Sequence, residues 1–364
     1  MENSAALGQR STARRSFLKG GVFATGALVT SGLFGAASAL AQPADDDDRD
    51  GDEFTDGDAA ILRFLAAAEL IEADLWTQYA ELGGNSKGSP NPYQKALQNL
   101  DGDGSQYITS NTLDEVSHAA FLNAYLESQG AEPVNLDAFR NLHGSRATGA
   151  KNIGRLTNLM NLNVDTSWYI RYRSTTNPDF GATFPQAITI NNRTAIPRTD
   201  ADMGNAAHIQ VIANTAAFHF GTIEQGGSSL YASLSRKVTS EQVLEITLGI
   251  GGDEVAHFLE WVDFAGNGVQ PPVAPVSFQG LTFPDFTTKG PLFQPNLIFP
   301  VPSQFINPRL PHCAVIRPLT DKFAGARATV AFLTDMNLFA GQSKQFFAEL
   351  KRLADAADEA HRQG

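Results

Sequence analysis

Apolar residues recur at three- and four-residue steps through four long stretches of the chain, the mark of helices with one buried face. The first predicts a helix over residues 59–82, with Leu65, Ala68, Ile71, Leu75, Trp76 and Tyr79 on its stripe and Gly83-Gly84 as its stop. The second covers 109–128, with Leu113, Val116, Phe121, Leu122, Tyr125 and Leu126 apolar. The third runs over 202–235. The fourth, opened by capping chemistry at Thr239-Ser240-Glu241-Gln242, runs over 239–264 with Gly251-Gly252 a weak point inside it. A further helical pattern over 320–360 fits one helix or a pair broken near Gly341.

Two segments interrupt this rhythm. Residues 130–200 join the second and third helices over a distance too long for a plain helix–helix loop, so they carry small elements of their own. Ala187-Ile188-Thr189-Ile190 ahead of Asn191-Asn192 is one such pattern. Residues 266–319 interleave proline with phenylalanine, which excludes a long helix and predicts an extended strap over the helices. The fold class is therefore all-α.

Composition narrows the chemistry. With 364 residues and 42 % hydrophobic content the chain can bury a sizeable core, and a formal net charge of −12 excludes a general nucleic-acid binder. Its one cysteine, Cys313, rules out an intrachain disulfide and a thiolate cluster. Any metal must be held by oxygen and imidazole.

The N-terminus reads as an address. Arg14-Arg15-Ser16-Phe17-Leu18-Lys19 precedes a weakly apolar run over 20–37, and Ala39-Leu40-Ala41 fits a small-x-small cleavage site. The pattern resembles a twin-arginine export signal, with Ala13 where Ser or Thr often stands, and implies a periplasmic or extracellular protein with no membrane span after cleavage. Residues 42–57 then form an acidic linker whose Asp run, extended by Asp56 and Asp58, is expected to be solvated. Neither this run nor Asp101-Gly102-Asp103-Gly104-Ser105 has the closing Glu of a calcium loop, and the latter reads as a turn.

The second and fourth helices share a string: Asp114-Glu115-Val116-Ser117-His118 and Asp253-Glu254-Val255-Ala256-His257. Glu and His three residues apart project from one helix face and can converge on a cation. The first and third helices share a Glu followed seven residues later by Tyr: Glu72 with Tyr79, and Glu224 with Tyr231. Both glutamates sit in apolar surroundings, where a carboxylate needs a compensating cation or several donors. Glu69, one turn before Glu72, is the alternative on the first helix. His219 lacks a counterpart and reads as a packed histidine or one behind the ligands; Asp74 and Glu81 read as solvent-facing.

This arrangement is similar to the ferritin-like di-iron and di-manganese carboxylate proteins, in which two helices each give a Glu and two others each give Glu-x-x-His. Together with the export signal and Pro-rich tail, it resembles the exported, desiccation-related branch of that superfamily. The resemblance spans residues 58–265 and implies a four-helix bundle with a long crossover at 130–200, then the strap at 266–319 and a C-terminal helical segment at 320–364. It implies Glu72 and Glu224 as terminal ligands, Glu115 and Glu254 as bridges, His118 and His257 as one ligand per metal, and Tyr79 and Tyr231 as groups orienting carboxylates. The implied cofactors are two iron or manganese ions, with zinc compatible with the same donors. The expected activity is oxidation of ferrous iron or removal of peroxide, with dioxygen, peroxide or ferrous iron as small substrates. The alternative is a metal-stabilised structural or desiccation-protective protein without turnover. A storage cage fits less well, because the strap and crossover would crowd its packing surfaces.

Overall fold

The computed structural model describes residues 53–174, 184–316 and 325–363. The export signal read in residues 1–41 lies outside them, as does the acidic linker apart from 53–57. Helix α1 (Asp56–Gly83) begins three residues before the predicted start because Thr55 and Asp58 cap it reciprocally. The Thr55 hydroxyl accepts from Asp58 N (3.1 Å) while the Asp58 carboxylate accepts from Thr55 N (3.0 Å). Asp58 is buried and also accepts from Thr239 N (2.8 Å), so the end of the acidic run is a structural tie and not solvated linker. Asp56 likewise falls inside α1.

A short helix, α2 (Pro92–Gln98), leads to α3 (Gly104–Ser128), which starts five residues earlier than the periodicity predicted, directly after the Asp101–Asp103 turn. The crossover holds two antiparallel strand pairs, β1 (Leu142–His143) with β2 (Gly154–Arg155) and β3 (Leu162–Val164) with β4 (Ile190–Arg193), and one turn of helix, α4 (Trp168–Arg171). The Ile188-Thr189-Ile190 pattern thus feeds β4, as its alternation suggests. Asp74 and Glu81, read as solvent-facing, instead fasten this crossover to α1. Asp74 is buried and accepts from Leu156 N, Thr157 N and the Thr157 hydroxyl, while Arg140 closes its other oxygen at 2.7 Å. Glu81 pairs with the buried Arg155.

Helix α5 (Ala206–Leu234) is capped by Asn205, and α6 (Glu241–Asn267) by Ser240. The Gly251-Gly252 weak point does not break α6, which continues to Asn267. Helix α1 packs along α3 and α5 along α6, and side chains of α1 and α5 interlock between the pairs. Trp76 stacks on Trp261 (5.3 Å between centroids) and on Phe220 (4.8 Å), joining α1, α5 and α6. Burying each such ring stabilises the fold by roughly 1.5–3 kcal/mol.

The Pro-rich segment is less extended than predicted. It folds a hairpin, β5 (Val276–Phe278) with β6 (Leu281–Phe283), whose turn residues Gln279 and Gly280 both have positive φ (45° and 79°), the geometry of a tight type I′ turn. The hairpin lies against α5. Beyond it, α7 (Ala326–Asp335) and α8 (Lys344–Glu359) are the broken pair, parted by Gly341 at φ 97°. Phe346, Leu350, Leu353, Ala354 and Ala357 form the buried stripe of α8, which packs on α1. Among the described residues helix dominates, strands occur only as short pairs, and no helix is long and apolar enough to cross a membrane.

Candidate metal centre

Four helices deliver acidic and imidazole side chains to one interior point. One ligand atom from each of Glu69, Glu115, His118 and Glu254 lies within 4.8 Å of all the others. The same holds for Glu115, Glu224, Glu254 and His257. Glu115 and Glu254 belong to both groups, so α3 and α6 each give one shared carboxylate and one histidine, and α1 and α5 each close one end. Glu115, Glu224 and Glu254 are fully buried, Glu69 is 1 % exposed, and the two histidines are 8–9 % exposed.

The sequence reading differs from this arrangement at one ligand. Five of the six expected residues meet: Glu115, His118, Glu224, Glu254 and His257. Glu72 does not join them, and Glu69, the alternative, stands in its place. Glu72 nevertheless stands beside the cluster: burial, with the charges of Glu115, Glu69 and Glu224, pushes its carboxyl well above the usual range. The tyrosines diverge too. Tyr231 donates to Glu69 Oε1 across the α1–α5 interface. Tyr79 lies 2.8 Å from Nδ1 of His219 and touches no carboxylate of the cluster. His219 is therefore a packed, buried partner of Tyr79, with burial pushing its pKa down to about 3.

The imidazoles face inward through Nδ1. His118 Nδ1 lies 3.2 Å from Glu115 and 3.5 Å from Glu69; His257 Nδ1 lies 3.2 Å from both Glu115 and Glu224. Their Nε2 atoms face outward, each toward an aspartate of the other repeat. Asp253 stands 3.3 Å from His118 Nε2, and Asp114 stands 3.3 Å from His257 Nε2. Sequence reasoning gave these aspartates no role although both lie inside the repeated string, because their partner is on the opposite helix. An acceptor at Nε2 holds the proton there and turns Nδ1 toward a cation. Asn111 was missed as well. Its amide donates to Glu115 Oε1 (2.7 Å) and Glu224 Oε1 (3.3 Å), and its oxygen accepts from Trp261 Nε1 (2.7 Å).

Electrostatics show what the cluster requires. Both oxygens of Glu254 and Oε2 of Glu69 are buried without a hydrogen-bond partner. An ionised carboxylate left so costs several kcal/mol, as an order of magnitude, unless a cation or proton offsets it. Burial, aided by the charge of Glu115, pushes Glu254 well above the usual carboxylate range. Burial likewise raises Glu69 to about 7, against the pull of the nearby His118 imidazole. Burial disfavours the charged form of both histidines, but Glu115 and Glu69 raise His118 to about 10, and Glu224 and Glu115 raise His257 to about 12. The cluster accordingly holds protons where cations are lacking, and the donors, all oxygen and imidazole, fit divalent metal ions. Gly227 on α5 makes room for this, since a Cβ there would collide with Glu254 Oε2. These buried groups could hold metal ions. The chain matches no protein-family model, no curated protein and no solved structure.

Proposed function

We propose that the chain is an exported ferritin-like four-helix bundle whose centre binds two iron or manganese ions and oxidises ferrous iron or removes peroxide. One observation carries this reading: two four-residue ligand groups share Glu115 and Glu254, which is what two adjacent ions with two bridging carboxylates need. Glu69 and His118 would hold one ion, and Glu224 and His257 the other. When bound, ions of this kind would supply paired redox chemistry toward a small oxygen species. The chain's own residues prepare the place. Asp253 and Asp114 fix the imidazole tautomers, Tyr231 and Asn111 orient carboxylates, and Trp76, Trp261 and Phe220 keep bulk water from one flank. Export through a twin-arginine signal would place this chemistry outside the cytoplasm.

The test uses full-length protein loaded with ferrous iron or manganese. Two ions per chain, with consumption of peroxide or oxidation of added ferrous iron, is the expected result. A loaded protein that gains thermal stability and performs neither reaction would be a metal-stabilised structural protein instead.

A further inference from the structure

A pocket opens between α1, α5 and α7, lined chiefly by Ala68, Ile223, Leu230, Phe332 and Leu333, with Glu72 in its wall. It is narrow, with room for a molecule of a few heavy atoms at most. Glu72, left over from the metal cluster, keeps Oε2 buried there without a hydrogen-bond partner. Gly226 and Gly227 complete the wall. Glycine inside a helix is destabilising against alanine, so two in succession each call for a reason. Gly227 has one in the Glu254 carboxylate behind it, which also shows how near the pocket comes to the cluster. Gly226 has no such constraint: a Cβ there would meet only Phe332 Cε1, at 3.9 Å. Its missing side chain leaves the pocket open.

We propose that this pocket admits a small uncharged oxygen species, dioxygen or hydrogen peroxide, to the carboxylate cluster, with Glu72 as the acidic group in its wall. The inference rests on the two-ion reading above. Apolar walls and one acidic group disfavour anions, and a bare cation would lose its hydration in so narrow a space. Cations have a different approach on the α3–α6 side, where Asp114 and Asp253 keep their carboxylates 44 % exposed beside the histidines.

The test compares full-length wild type with Gly226→Leu, which fills the pocket from α5, and Phe332→Trp, which fills it from α7. Xenon, followed by its nuclear magnetic resonance, probes the pocket with or without iron. Nitric oxide binding to ferrous-loaded protein, followed optically, probes access without any turnover. Wild type should take up xenon, and both variants should lose it, keep their iron content and bind nitric oxide at least ten-fold more slowly. Reaction rates with dioxygen and with hydrogen peroxide, measured separately, should fall in step for whichever species uses this route. Absence of xenon from the wild type, or unchanged nitric oxide binding in variants that have lost xenon, overturns the proposal. Absence of bound iron overturns the two-ion reading and this inference with it. A protein that binds iron and nitric oxide but reacts with neither oxidant overturns the proposed activity and, with it, the identity of the pocket's occupant.

Discussion

Asp253 of α6 stands 3.3 Å from Nε2 of His118 on α3, so each copy of the repeated string completes the histidine of the other. The two helices are thereby linked through the very residues that face the cluster. Because the aspartate is half exposed, removing it should spare the fold and act on the imidazoles, that of His118 first and that of His257, 3.7 Å away, second. Asp253→Ala and Asp114→Ala are each expected to weaken metal binding by roughly 10- to 100-fold. Competition against a chromophoric chelator measures this directly.

The choice between Glu69 and Glu72 separates by stoichiometry. Glu69→Ala removes a carboxylate of one ligand group and also strips Tyr231 of its acceptor. It is expected to lower the metal content measured by elemental analysis, whereas Glu72→Gln should leave it at the wild-type value.

The adjacent glycines of α5 should respond oppositely to the same substitution. Gly226→Ala makes only an ordinary contact with Phe332 and is expected to raise stability by about 0.5–1 kcal/mol through helix propensity. Gly227→Ala forces a methyl group into the Glu254 carboxylate and is expected to lower both stability and metal content. Thermal melts of the two variants, with and without metal, show the contrast.

His219 predicts a pH dependence of stability. Folding holds the ring neutral down to about pH 3, against an ordinary value of 6.5. The unfolded chain therefore takes up a proton that the folded chain refuses as pH falls below 6.5, and stability is lost through that window. By pH 5 the loss is about 2 kcal/mol from this residue. His219→Gln should flatten that part of the profile, as urea unfolding at pH 7 and pH 5 would reveal.

Much of this site was legible because its chemistry repeats. The two Asp-Glu-x-x-His strings give four cluster members, Glu115, His118, Glu254 and His257. What stayed hidden depends on how the helices are set against one another. Glu69 and Glu72 lie about one turn apart on the same face of α1, and only the height at which α1 packs against α3 and α5 decides which of them closes the ligand group. The same holds for Asp74 and Glu81, which look like surface acids until the crossover folds back and presents Thr157 and Arg155 to them. The hairpin at Gln279-Gly280 escaped because proline and phenylalanine content masks a short alternation around a turn.

Counting ions in the full-length protein tests the central claim most directly. Equilibrium dialysis against ferrous or manganous ion is expected to give two ions per chain for wild type, and a joint loss of affinity at both positions for Glu254→Ala, since that carboxylate belongs to both ligand groups. A wild-type chain that binds no ion, or a Glu254→Ala variant that keeps two at unchanged affinity, would contradict it.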